Sequence, residues 1–275
     1  MAAFVVIPVT LALAFTGGVW AAWRQTASAR QAATAALLAA IATGVWMLLT
    51  WRLAASGVLR RWDAIPPPFG LLVVSILLLA FRLAFSSAGR RLAIGIPLWA
   101  LVAIQAFRLP LEMAMHQMYV RGIMPVQMSY AGMNFDILTG MTAVLLAWLL
   151  LTRRAGYWLV FAWNVLGLLL LGNVVTIAIL ATPKFRFFGD GHLNVWVTYP
   201  PFVWLPAVMV LAALAGHLVI WRALRLQRPA SRTGRSGSTI TPAGPEGPAL
   251  RSDAEGPALR SRWRSGRVPR RGEPA

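Results

Sequence analysis

The chain has 275 residues, 58% of them hydrophobic and only 12% charged, and it contains no cysteine. This balance excludes an ordinary soluble enzyme, and the missing thiols exclude disulfides, thiolate metal sites and a cysteine nucleophile. The formal net charge of +18 would suggest nucleic acid in a soluble protein. Here the arginines border apolar runs, so anionic lipid is the simpler partner and no specific nucleic-acid binding is expected.

Apolar runs of about twenty residues recur, the length that crosses a bilayer as a helix. Backbone groups in hydrocarbon must bond internally, so these runs are helical, and they lack the short alternating pattern of transmembrane strands. The expected fold class is all-α, a polytopic membrane protein with a bundle of about seven transmembrane helices in residues 1–226. A disordered basic tail, residues 227–275, is expected to follow.

The first span covers about residues 3–23 and lacks the basic start of a secretory signal peptide. Ala12-Leu13-Ala14 resembles a cleavage site, but the chain stays apolar well beyond it, so the segment reads as an uncleaved anchor. The second span, about 34–51, lies between Arg24/Arg30 and Arg52/Arg60/Arg61. Pro66-Pro67-Pro68 opens the third, about 69–85, because proline suits a helix's first turn.

The fourth span is helix-compatible over about 92–119, roughly 42 Å at 1.5 Å per residue and longer than one untilted crossing needs. A kink at Pro110 is the expected accommodation, and Gly122 and Pro125 stop the helix. The fifth span is about 134–151 and the sixth about 156–181. A loop follows, with a Gly-Asp-Gly turn and an extended piece from His192 to Tyr199. The seventh span is about 201–221. Trp20, Trp23, Trp51, Trp158, Trp196 and Trp221 suit interfacial belts.

The tail is rich in Arg, Pro, Gly and Ser and repeats EGPALRS at Glu246–Ser252 and Glu255–Ser261. Two copies make a low-complexity duplication, not a solenoid. Residues 222–275 carry twelve arginines against four acids, which places the C-terminus in the cytoplasm and, with seven spans, the N-terminus outside.

Chemistry concentrates between Phe107 and Ala143. Arg108, Glu112 and His116 stand at i, i+4 and i+8, one helical stripe, with Arg108 deepest and His116 nearest the outer surface. Ionised groups at mid-bilayer turn inward and pair, so Arg108 is the expected partner of Glu112, beside a carbonyl freed by Pro110. The bland alternative is a self-neutralised pair that fixes packing, with His116 at the water boundary. Asn134 and Asp136 fit the N-cap and first turn of the fifth helix without any ligand. Gly132, Gly140 and Thr142-Ala143 let the fourth and fifth helices approach closely, which could bring Asp136 to Glu112 or His116.

FR-x-P-x-E, His116, Gly122, Pro125, Gly132, Asn134-Phe135-Asp136-Ile137 and Gly140-x-Thr142-Ala143 resemble a group of uncharacterised bacterial multi-pass inner-membrane proteins. The resemblance covers some forty residues. It implies a bacterial inner-membrane location and brings no activity with it.

No metal or cofactor is expected. Glu112, His116, Asp136 and His192 lack a ligand motif, and a bis-histidine haem would need His116 and His217 at one depth. Asn164 and Asn173, about 180° apart on one helix, cannot share a pocket, so one serves as interhelical glue. The methionines between Met113 and Met128 read as packing.

The candidate ligand-binding residues are therefore Arg108, Glu112, His116, Asn134, Asp136 and His192, with the loop around His192 as a cap. The leading expectation is binding or transport of a small polar or anionic ligand, with Arg108 as anchor and Glu112/His116 as the protonatable pair. The rivals are a membrane enzyme on a lipid-linked substrate, with Glu112 or His116 as general acid/base, and a non-catalytic assembly subunit.

Overall fold

A computed structural model describes residues 1–226 of the chain; the expected disordered tail and its duplicated motif lie outside the described residues. The described residues are all-helical, without a strand. Six helices are long and apolar enough to cross a membrane: Ala3–Arg24, Ala29–Ala55, Pro68–Phe85, Leu98–Val120, Tyr157–Leu180 and Leu205–Leu226.

Helices α1 (Ala3–Arg24) and α2 (Ala29–Ala55) form an antiparallel pair. A capping box starts α2, with the Ser28 side chain on the Gln31 N–H and Gln31 reaching back to Ser28, so the helix begins five residues before the apolar run. Gly57, at φ 79°, turns the chain after α2 in a conformation that glycine adopts without steric cost. Pro68 opens α3 (Pro68–Phe85) in its first turn, as expected.

The single fourth helix expected over 92–119 is instead broken. A short helix α4 (Ser87–Gly95) ends at Ile96, whose extended backbone (φ −108°, ψ 130°) precedes Pro97. Proline disfavours helical geometry in the residue before it, and that ends α4. The chain restarts as α5 (Leu98–Ala103), tightens into a 3₁₀ turn at Ile104–Phe107 and continues as α6 (Arg108–Val120). Pro110 therefore lies in the first turn of α6, and the irregularity falls just upstream, where its missing N–H leaves the helical ladder incomplete.

Helix α7 (Ile137–Leu151) has 15 residues, about 22 Å of helix against the ~30 Å of a hydrocarbon core. Helix α8 (Tyr157–Leu180) follows. The extended piece expected at His192–Tyr199 is a pair of 3₁₀ turns, Asp190–His192 and Trp196–Thr198. Trp196 belongs to no interfacial belt. It is buried in an edge-to-face cluster with Phe4 and Phe202, where it removes a large apolar surface from contact with solvent.

The last span opens as a π-helical segment, Leu205–Val210, and continues as α9 (Leu211–Leu226). Pro206 lies in its first turn, and the wider register leaves the Ala207 carbonyl to accept from Trp46 Nε1 at 2.8 Å. α9 is the central post of the bundle, with α3, α4, α5 and α8 packed around it. Met115, Met118, Met124 and Met128 enter one buried cluster with Phe4, Trp196 and Phe202, the packing role expected of them.

Candidate functional site

The polar centre lies where α6 meets the entry to α7. Gly140 makes the approach possible, because a Cβ there would collide with the backbone of Leu109. The close contact expected from the small residues is therefore present, and it places four polar side chains in one buried layer. Arg108 is 1% exposed, Glu112 2%, Asn134 0% and Asp136 4%.

Their pairing differs from the sequence expectation. Arg108 Nη1 donates to Asp136 Oδ1 at 2.6 Å, across the helix interface, and not to Glu112 one turn away. Helical side chains lean towards the N-terminus, so Arg108 reaches away from Glu112 and into the gap between α7 and α8. Glu112 instead meets the amide of Asn134, whose Nδ2 lies 2.9 Å from both carboxylate oxygens. The same amide donates to the Met128 carbonyl at 3.0 Å.

Asn134 does not cap α7. The N-cap residue is Asp136, without a side-chain cap bond. Asn134 Oδ1 accepts the Asp136 N–H at 3.0 Å, an Asx turn that leads the chain into the helix. Thr139 Oγ1 donates to Asp136 Oδ1 at 3.2 Å, so the oxygen that receives Arg108 is doubly bonded.

His116 and His192 stand apart from this layer. The half-buried His116 pairs through Nδ1 with Ser129 Oγ at 2.9 Å and stacks on Tyr130, with ring centroids 4.4 Å apart. It ties α6 to the following loop. His192 is exposed, and only its backbone takes part in packing, accepting from Gln127 Nε2 at 2.7 Å. Among the described residues no three His, Asp or Glu side chains converge as metal ligands.

A second buried polar group adjoins the first. His217, 0% exposed, bonds through Nδ1 to Asn164 Oδ1 at 2.8 Å. Its ring lies against Gly167 so closely that a Cβ there would overlap it, and the Gly167 carbonyl is 3.5 Å from Arg108 Nη1. His217 lies near the middle of the helix Leu205–Leu226. Asn164 is thus the interhelical link, while Asn173, on the other face of α8, donates to the Met133 carbonyl at 2.8 Å. The pairing of α8 with α9 had no signal in the sequence, since a lone Asn and a lone His in separate apolar spans carry no information about register.

Beside the ionic layer is a crevice of about 70 Å³. Arg108, Glu112 and Asp136 line one end, and the remaining lining is almost wholly apolar, from α3, α6, α8 and the π segment. Asn194 and Val197, from the loop after α8, also line it, whereas His192 does not. Arg108 retains two N–H-bearing nitrogens, Nε and Nη2, without a partner. Buried donors in native proteins are nearly always bonded, and these two belong to a side chain that lines the crevice.

The class defined by this fold is a multi-pass α-helical membrane protein. Comparison with protein families, with curated proteins and with solved structures gives no match, so the chemistry of the site rests on its own geometry.

Proposed function

We propose that the Arg108–Asp136 and Glu112–Asn134 layer is an intramembrane binding site for a small polar molecule or head group. In this reading the protein crosses the bacterial inner membrane seven times, with the short α7 as the additional crossing. The N-terminus is outside, the basic residues 227–275 are in the cytoplasm against anionic lipid, and the crevice lies in the outer half of the bundle. A bilayer thins or a helix recruits flanking residues to accommodate a short span at modest cost, which suits α7.

The observation that carries the reading is that Arg108, whose side chain lines an otherwise apolar crevice, keeps two buried nitrogens without a partner. Among the described buried side chains with an unmatched atom, Arg108 is the only one with a permanent charge, and a charged donor gains most from an acceptor in a low-dielectric interior. Asp136 already matches the positive charge of Arg108, so the site suits a polar ligand better than an anionic one. Glu112 is the protonatable member of the site, and His116 serves the loop.

The test is chemical. Protein purified in mild detergent is denatured, and the released small molecules are identified by mass spectrometry. Wild type carries a compound in near-stoichiometric amount that Arg108→Gln and Glu112→Gln have lost; equal recovery from all three contradicts the proposal. The apolar crevice also suits the second reading, an enzyme acting on a lipid-linked substrate with Glu112 as general acid/base. Product formation in detergent without a gradient would favour that reading.

A further inference from the structure

The crevice beside the Arg108 layer has a direction as well as a volume. Its walls, α3 and α8, both pack on α9 but are not packed along each other. The gap between them is bordered by Val73 and Leu77 on α3 and by Val175 and Ile179 on α8, all half-buried. The neighbouring Val74 and Leu78 are exposed apolar side chains of a membrane-facing surface. Asn194 and Val197, which follow α8 in the chain, line the same space. The gap between α3 and α8 therefore faces the hydrocarbon, at the level of the first turns of α3 and the last turns of α8.

The polar end limits the head group. Arg108 offers Nε and Nη2, and the oxygens of Glu112 meet only the Asn134 amide. With Arg108 matched by Asp136, Glu112 is the carboxyl left without a cation. An anionic head would add a second negative group to a positive charge that Asp136 already matches, in a low-dielectric interior where such an imbalance is costly. An uncharged oxygen can accept from Arg108, and a hydroxyl hydrogen can also be given to Glu112. The volume of about 70 Å³ is roughly half the 150 Å³ of a cavity that admits a benzene ring. It takes a head and the first few carbons of one chain, with the rest of the chain outside it among the lipids.

We infer that the crevice takes a single-chain amphiphile with an uncharged hydroxyl or carbonyl head, entering sideways between α3 and α8 and seating its head on Arg108 and Glu112. The inference rests on the reading of the layer as a binding site and adds the class of ligand and its route.

The experiment uses the full chain in nanodiscs and a long-chain alcohol with a diazirine along its chain. Photolabelled peptides are mapped by mass spectrometry and compared with labelling by the matching fatty acid and by a diacyl phospholipid. The expected result is saturable labelling around Val73–Leu77 and Val175–Ile179, competed by unlabelled alcohol. The alcohol should half-saturate at a concentration roughly tenfold below that of the acid.

Two variants separate the route from the site. Val73→Trp with Val175→Trp fills the gap at the bundle surface and should abolish saturable labelling. Arg108→Lys keeps the charge facing Asp136 but loses the free guanidinium donors, and should weaken labelling roughly tenfold. If the Trp pair leaves labelling intact while Arg108→Lys weakens it, sideways entry is wrong and the site stands. If neither changes it, both fall. Labelling that rises linearly and is not competed indicates annular lipid only and overturns the inference. Equal or tighter binding of the fatty acid or the phospholipid overturns the assignment of head or chain.

Discussion

Arg108 Nη1 lies 2.6 Å from Asp136 Oδ1, an ion pair sealed from solvent that joins the first turn of α6 to the N-cap of α7. Removing one partner leaves an uncompensated charge in the bundle. Asp136→Asn or Arg108→Gln should each cost about 3–5 kcal/mol of stability, while the double substitution should recover part of that loss. Thermal unfolding of the four proteins in one detergent measures both effects, and strictly additive losses would show that the pair does not act as a unit.

Glu112→Gln should behave differently. The glutamine carbonyl can still accept from Asn134, which is 2.9 Å from both carboxylate oxygens in the wild type. Stability should change by no more than about 1 kcal/mol, while ligand binding falls. A melting temperature close to wild type with the ligand lost would assign Glu112 to the site and not to the scaffold.

Gly140 sets the distance across which Arg108 reaches Asp136, because a side chain there meets the Leu109 backbone. Gly140→Ala should push α6 and α7 apart and cost about 1–3 kcal/mol. Gly172→Ala is the control, since nothing lies within 4 Å of a Cβ there. Its melting temperature should match or exceed wild type, given the better helix propensity of alanine.

Asn164 holds His217 through a 2.8 Å hydrogen bond between α8 and α9. Asn164→Leu leaves that buried ring nitrogen unmatched, at an expected cost of about 1–3 kcal/mol. Neither residue lines the crevice, so affinity for the site's ligand, measured on the fraction that remains folded, should stay near wild type.

The membrane class and most of the spans were legible because apolar runs and their arginine borders are local signals. Pro68 marked the start of α3, and Gly140 correctly announced a close helix approach. The break at Ile96–Pro97 was legible in principle, since Pro97 restricts the residue before it, but the apolar pattern runs on across the interruption. The stripe of Arg108, Glu112 and His116 put three polar groups on one helix but gave Arg108 and Glu112 the wrong partners. Helical spacing tells which residues share a face, whereas Asp136 and Asn134 come to that face from another segment through the Gly140 contact. His116 satisfied the spacing rule and still turned to Ser129, and the His217–Asn164 link depends on a helix pairing that no residue type encodes.

A density map of the wild-type protein in lipid nanodiscs tests the central claim most directly. The account predicts elongated density between α3 and α8 whose polar end lies within hydrogen-bonding distance of Arg108 Nε or Nη2. A closed crevice filled by its own side chains, with both Arg108 nitrogens bonded within the protein, would contradict it.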